Sequence, residues 1–184
     1  MRIKKTVLML WIALMMTGCQ SMRKAFNFST TAELQFEVGE MVNPDSDGRS
    51  SPVVVHLFAL SNDQLFKRED FLSLYSDAES RLQSDLLEKQ LLKELVPGEV
   101  RMDTLTLPIE TKYIGLMAEF VRYEGAKSLL VLPVRSHNKN SYSVELNGNN
   151  MAVSKEERVQ SKKVKERKKS DPQESNNSRQ VYSR

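Results

Sequence analysis

The sequence predicts a mainly β protein: a β-sandwich with a helical insertion, followed by a disordered basic C-terminal tail. Three observations predict it. Ala32-Glu33-Leu34-Gln35-Phe36-Glu37-Val38 alternates strictly, so Ala32, Leu34, Phe36 and Val38 share one face of a half-buried strand. Short apolar runs separated by turn residues recur along the chain, as in a sandwich. Between two of them, leucines at helical intervals with charges between them mark an interposed helical segment.

Each element follows in order. Residues 39–51 are rich in turn formers and form a loop. Pro52 opens Val53-Val54-Val55-His56-Leu57-Phe58-Ala59-Leu60, apolar on both faces apart from His56, which reads as a central strand. Ser61/Gln64 and Ser80/Gln83 have capping-box spacing, so two helix starts are expected. Phe66, Phe71, Leu72, Leu74 and Tyr75 suit short helical segments. Leu82, Leu86, Leu87, Leu91 and Leu95 continue the helical period until Pro97-Gly98, placing the insertion at about 61–96. Strands return at 99–107, 113–123, 129–134 and 141–146, and Asn147-Gly148 ends the last. Within 113–123, Ile114, Leu116, Ala118 and Phe120 share a face. The sandwich domain is thus placed at 31–153. Residues 154–184 hold almost no apolar side chains, too few to offset chain entropy, and are expected to be disordered.

The N-terminus reads as an export signal. Arg2, Lys4 and Lys5 precede an unbroken apolar run at 7–16, shorter than the roughly 20 residues a spanning helix needs, so 1–18 reads as a cleaved signal peptide. Cys19 is the only cysteine, so it has no partner for an intramolecular disulfide. The run Leu14-Met15-Met16-Thr17-Gly18-Cys19 resembles a bacterial lipobox, in which the cysteine is acylated and becomes the mature N-terminus. Two or three acyl chains anchor stably, at about 0.8 kcal/mol per buried methylene. Gln20 stands where an aspartate commonly retains enterobacteria-like lipoproteins in the inner membrane. By that resemblance the anchor belongs to the periplasmic face of the outer membrane. Residues 19–30 are polar, lack a period and suit a lipidated tether. The compartment argues against ATP-dependent chemistry and nucleic-acid partners.

Charge is unevenly distributed. The net charge is +3, but residues 154–184 hold ten Lys and Arg against five Asp and Glu, and the signal peptide holds +3, leaving −5 for residues 19–153. An acidic domain precedes a basic tail. The tail reads as a solvated segment, or as one that engages anionic lipid, lipopolysaccharide or an acidic protein surface.

No catalytic constellation is present in the sequence. His56 lies in an apolar strand and is expected to be structural or edge-facing, and His137 to be solvated in a polar turn. Asp45-Ser46-Asp47-Gly48 superficially suggests a calcium loop but lacks the later bidentate glutamate, and reads as a charged turn. Glu69/Asp70 and Glu156/Glu157 are adjacent in sequence, so they do not face each other on a helix. The expectation is a non-enzyme with no metal and no cofactor beyond the covalent lipid at Cys19.

The lipobox and alternating strand lead through Asn43-Pro44-Asp45-Ser46-Asp47-Gly48-Arg49-Ser50-Ser51-Pro52 into Val53-Val54-Val55 and Leu57-Phe58-Ala59-Leu60. Phe66, Asp70-Phe71, Leu74-Tyr75, Leu82, Asp85-Leu86 and Pro97-Gly98-Glu99 follow in order. Over residues 14–135 this set resembles the TssJ (VasD/Lip) lipoprotein family of type VI secretion systems. The resemblance implies a transthyretin-like β-sandwich tethered under the outer membrane. It implies binding to the periplasmic domain of TssM and, through it, indirect association with TssL in a trans-envelope complex. It further implies that Asn43, Pro44, Asp45, Ser46, Asp47, Gly48 and Arg49 contact the partner, where Arg49 could fork onto a carboxylate. The alternatives are an interaction lipoprotein of another envelope machine, or an enzyme acting on peptidoglycan or lipid.

Overall fold

Strand β1 (Thr30–Val38) carries the strict alternation into the structure, with Ala32, Leu34, Phe36 and Val38 buried. It pairs antiparallel with β4 (Val100–Leu107) and parallel with β7 (Lys139–Asn147), and β8 (Asn150–Val153) completes this first sheet beyond β7. The second sheet is antiparallel throughout, in the order β3 (Leu86–Leu91), β2 (Val54–Leu60), β5 (Tyr113–Glu119), β6 (Leu129–Pro133). The two sheets pack around a shared core as a β-sandwich. The computed structural model describes residues 29–154; the signal segment, Cys19, the tether to residue 28 and residues 155–184 lie outside the described residues. Thr30 and Ser154, assigned from sequence to the tether and the tail, are both buried parts of the fold.

Two cores flank the second sheet. Val55, Leu57, Ala59, Ile114, Leu116 and Ala118 face inward and meet Leu34, Phe36, Val144 and Leu146 from the first sheet. Phe58, Leu60 and Met117 face outward and are covered by Phe66, Leu74, Ala78 and Leu82. Each such large side chain contributes about 1.5–3 kcal/mol by leaving water. The covering residues sit on α1 (Gln64–Arg68) and α2 (Phe71–Leu82).

The helix boundaries differ from the capping-box reading. Asp63 and Asp70, rather than Ser61, stand at the two N-caps, and Asp70 Oδ1 accepts from the Ser73 amide at 2.8 Å. That hydrogen bond holds the Asp70 carboxyl below its usual range. Ser80 lies inside α2, where Asp77 breaks the helix (φ −156°, ψ 68°) and its carboxylate accepts from the Ser80 amide at 3.2 Å, restarting it.

The insertion is also shorter than 61–96. Helix gives way at Gln83, whose φ of +49° is incompatible with an α-helix, to a 3₁₀ turn at Gln83–Asp85, and Leu86–Leu91 is strand β3. Leu86 and Leu87 then point to opposite faces, one packing on the outer core and the other on the inner. The competing force is the unpaired edge of β2, which β3 satisfies. Asn147-Gly148 likewise does not end the sheet: it turns a hairpin into β8. The predicted strand 113–123 stops at Glu119.

Both sides of the sandwich are closed by polar contacts. On one, the Arg101 guanidinium grips Asp103 through Nε and Nη2, both at 3.1 Å, and donates to the carbonyls of Lys93 (2.6 Å) and Glu94 (3.0 Å). On the other, the Lys127 and Met151 backbones meet: Lys127 N–H donates to Asn149 O and Met151 N–H to Lys127 O, each at 3.0 Å.

Gly115 on β5 lies directly beneath the Phe66 ring, and a Cβ there would stand 2.6 Å from Phe66 Cε2. Gly115→Val should therefore destabilise the protein by about 1–3 kcal/mol through overpacking, read as a lower urea midpoint with unchanged slope.

Candidate functional site

Strand direction divides the sandwich into two ends. β1 starts at one end, where the 108–112 and 134–138 turns also lie, and delivers the chain to loop 39–52 at the other. Loop 39–52 is joined there by segments 92–99 and 120–128 and by the β7–β8 turn. The chain preceding Thr30 therefore leaves from the end opposite loop 39–52.

Asn43 ties this loop end together. It is 2% exposed, with a left-handed φ of +48° that Asn tolerates better than most residues. Its Nδ2 donates to the Pro52 carbonyl (2.7 Å), its Oδ1 accepts from the Val121 amide (2.7 Å), and its own amide donates to Gly148 O (2.9 Å). The resemblance counts Asn43 among contact residues, but its side chain is committed internally. Pro44 and Asp45 are half-buried, and only Ser46, Asp47, Gly48 and Arg49 of that set are exposed.

The loop tip is closed by its own charges. Asp45 Oδ1 accepts from the amides of Asp47 and Arg49, both at 2.9 Å. Arg49 reaches Asp45 Oδ2 through Nε at 3.0 Å and Asp47 Oδ2 through Nη2 at 2.9 Å. The Arg49 fork anticipated for a partner carboxylate thus closes on its own loop. The apparent calcium motif is a turn whose carboxylates are held by Arg49. The Arg49 amide, followed by the Arg49 side chain and the Asp47 and Gly48 amides, holds the Asp45 carboxyl below its usual range.

Apolar side chains surround this tip. Met41, Val96, Val121 and Tyr123 are exposed on the loop end. Tyr123 stacks on Phe71, which stacks on Tyr75, with centroids 5.5 and 5.6 Å apart. Beside the stack runs an open groove of about 590 Å³ between the start of α2, segment 123–130 and β8, with buried Ser128 among its lining residues. Sequence reading missed Val121 and Tyr123 by placing them within a strand.

The two histidines lie on separate elements. His56 lies half-buried on the outer face of β2 against Glu119, and His137 sits in the β6–β7 turn, its amide donating to Thr30 Oγ1 at 2.9 Å. Among the described residues no three His, Cys, Asp or Glu side chains are grouped to hold a metal.

The fold is that of a β-sandwich domain with an elaborated loop end. The chain belongs to the type VI secretion lipoprotein family (VasD, EvfM, TssJ), whose model matches residues 30–149. The sandwich is similar to the crystal structure of the T6SS lipoprotein TssJ1 from Pseudomonas aeruginosa (TM-score 0.64, 26% identity, covering 68% of this chain and 95% of that one). It is similar to Serratia marcescens Lip, a membrane-bound component of the type VI secretion system (TM-score 0.62, 23% identity, 69% and 97% covered). It also matches a chain in the structure described as the T6SS protein TssM C-terminal domain (869–1107) from EAEC (TM-score 0.57, 20% identity, 68% and 98% covered). No curated protein matches the sequence significantly.

Two outcomes test this geometry. Asn43→Ala strips acceptor and donor from two buried backbone groups and should destabilise the domain by about 2–4 kcal/mol, measured by thermal or urea unfolding. Asp45 is held below its ordinary range, so its stabilisation of the loop is complete above its unfolded value of about 3.9 and is lost as pH falls through the folded value. The Asp45 carboxyl resonance should accordingly titrate below that of an unstructured aspartate, and Arg49→Ala should move it back up.

Proposed function

We propose that this chain is the lipid-anchored subunit of a type VI secretion trans-envelope complex. Acylated at Cys19, it is held at the periplasmic face of the outer membrane. Its loop end binds the periplasmic domain of TssM, and through TssM it is linked to TssL. The protein acts by position and grip, not by catalysis.

The observation that carries this reading is the polarity of the sandwich. The segment leading to Cys19 enters at one end and loop 39–52 stands at the other, so an acylated chain would present its loops away from the bilayer. No helix among the described residues is long and apolar enough to cross a membrane. Family membership supplies the system. The fold also matches a chain in the structure described as the TssM C-terminal domain, which is consistent with a place in the same complex.

The contact surface combines the exposed tip, Ser46, Asp47, Gly48 and Arg49, with the apolar rim of Met41, Val96, Val121 and Tyr123. Internal hydrogen bonding pre-orders the tip, which lowers the entropy lost on binding. Replacing residues 46–49 by two glycines should weaken binding to the TssM periplasmic domain at least about tenfold, with the melting temperature kept. Unchanged affinity rejects the assignment of the loop. In the same cells, Cys19→Ser should abolish labelled-palmitate incorporation and outer-membrane fractionation; retained label would reject the anchor.

A further inference from the structure

The contact that closes one side of the sandwich at Lys127 and Met151 is the start of a parallel ladder that goes no further. Lys127 N–H donates to Asn149 O and Met151 N–H to Lys127 O, the pattern of a parallel pair. The next two bonds of such a ladder would run from Leu129 N–H to Met151 O and from Val153 N–H to Leu129 O. They are not made, because β6 and β8 are each the outermost strand of a different sheet and do not pair with one another.

Alternation fixes which backbone groups this leaves bare. Ala118 N–H donates to Ser128 O and Val134 N–H to Lys112 O, so residues 128, 130, 132 and 134 turn their backbones toward β5 and its flanks. Leu129 and Val131 therefore direct N–H and C=O away from the sheet, and neither has a backbone partner among the described residues. The bare stretch is short. Pro133 has no N–H to offer, and its carbonyl accepts from the Tyr142 hydroxyl.

The open groove of about 590 Å³ runs beside this edge, with Phe71, Leu72, Tyr123, Leu130 and Met151 among its apolar walls and Leu129 common to both. Ser128 and Asn150 also line it, and Ser128 Oγ and Asn150 Oδ1 are buried with no hydrogen-bond partner among the described residues. Two charged residues line the groove. Asp70 is engaged as the N-cap of α2, whereas Lys127 is exposed and has no carboxylate partner among the described residues. A small ligand is held in a pocket that encloses most of its surface; an open groove along a bare strand edge suits an extended chain.

We propose that β6 accepts, as an added β-strand, an extended apolar segment of the partner that the loop end binds, with a carboxylate of that segment against Lys127. This rests on the partner binding proposed above. Continuity with that surface supports it: Tyr123 belongs both to the apolar rim around loop 39–52 and to the groove, so a domain seated on the loop end reaches β6 without a gap. Leu129 and Val131 supply main-chain hydrogen bonds, and the groove receives alternate side chains of the added strand. The charge of Lys127 selects an acidic segment over a basic one.

Hydrogen exchange tests this on the complete mature chain carrying Cys19→Ser, free and saturated with the TssM periplasmic domain. The Leu129 and Val131 amides should exchange rapidly in the free protein and at least about tenfold more slowly in the complex. Val131→Pro removes a donor that β5 does not use and should weaken the complex about tenfold. Lys127→Glu, which leaves every backbone hydrogen bond in place, should weaken it several-fold. Protection confined to loop 39–52, with the Leu129 and Val131 amides unchanged, overturns the added strand and leaves the loop assignment standing. Full affinity in both variants overturns it equally. Absence of any complex rejects both readings. Protection of these amides that grows with the protein's own concentration assigns the edge to a second copy of the chain and overturns the choice of occupant.

Discussion

A sheet that is apolar on both faces governs this architecture. β2 sends Val55, Leu57 and Ala59 into the sandwich and Phe58 and Leu60 away from it, and Met117 on β5 extends the outer apolar surface. Left uncovered, that face would be a contiguous apolar patch of the kind soluble monomers avoid. The helices between β2 and β3 cover it, and the closeness of that cover is set by Gly115 under Phe66. The first sheet has no such need. Glu33, Gln35 and Glu37 on β1 and Ser141, Ser143 and Glu145 on β7 point outward in register. With one face covered and the other polar, Met41, Val96, Val121 and Tyr123 are left exposed at the loop end.

The two ends are built differently. At the loop end, Asn43 fastens three chain segments through hydrogen bonds, while Arg49 pairs with both Asp45 and Asp47. A tip that pairs most of its own charges has few to offer, so on the proposed contact surface the surrounding apolar side chains would carry more of the binding. This suits a partner surface with an apolar centre, since buried unpaired charge is costly at an interface. The opposite end is an arrangement of turns around Thr30, whose Oγ1 accepts from the His137 amide.

Legibility in the sequence followed the range of the deciding interactions. β1 and β2 were readable because alternation and two-faced apolarity are local signals that burial reinforces. Segment 86–91 was not, because Leu82, Leu86 and Leu87 fit a helical stripe as well as a strand. The free edge of β2, which decided the matter, lies far away in sequence. β8 is four residues long, too short to announce itself after an Asn-Gly turn. In the site, the turn at 45–49 was visible from its composition. The burial of Asn43 was not, since a polar residue before proline in a loop reads as exposed. Its partners at Val121 and Gly148 are brought to it only by the completed sandwich. Cys19 and the basic segment 155–184 lie outside the described residues and are legible in the sequence alone.

The parallel pairing of β1 with β7 has a bearing on biogenesis. Residue 31 pairs with residue 139, so the second strand of the first sheet lacks one neighbour until nearly all of the domain is available. Contacts of such long sequence separation make for slow folding. A chain crossing a membrane N-terminus first could not close its central strand while residues beyond 139 were still on the far side. Delay of this kind would keep such a translocating polypeptide threadable and let the sandwich close only after crossing.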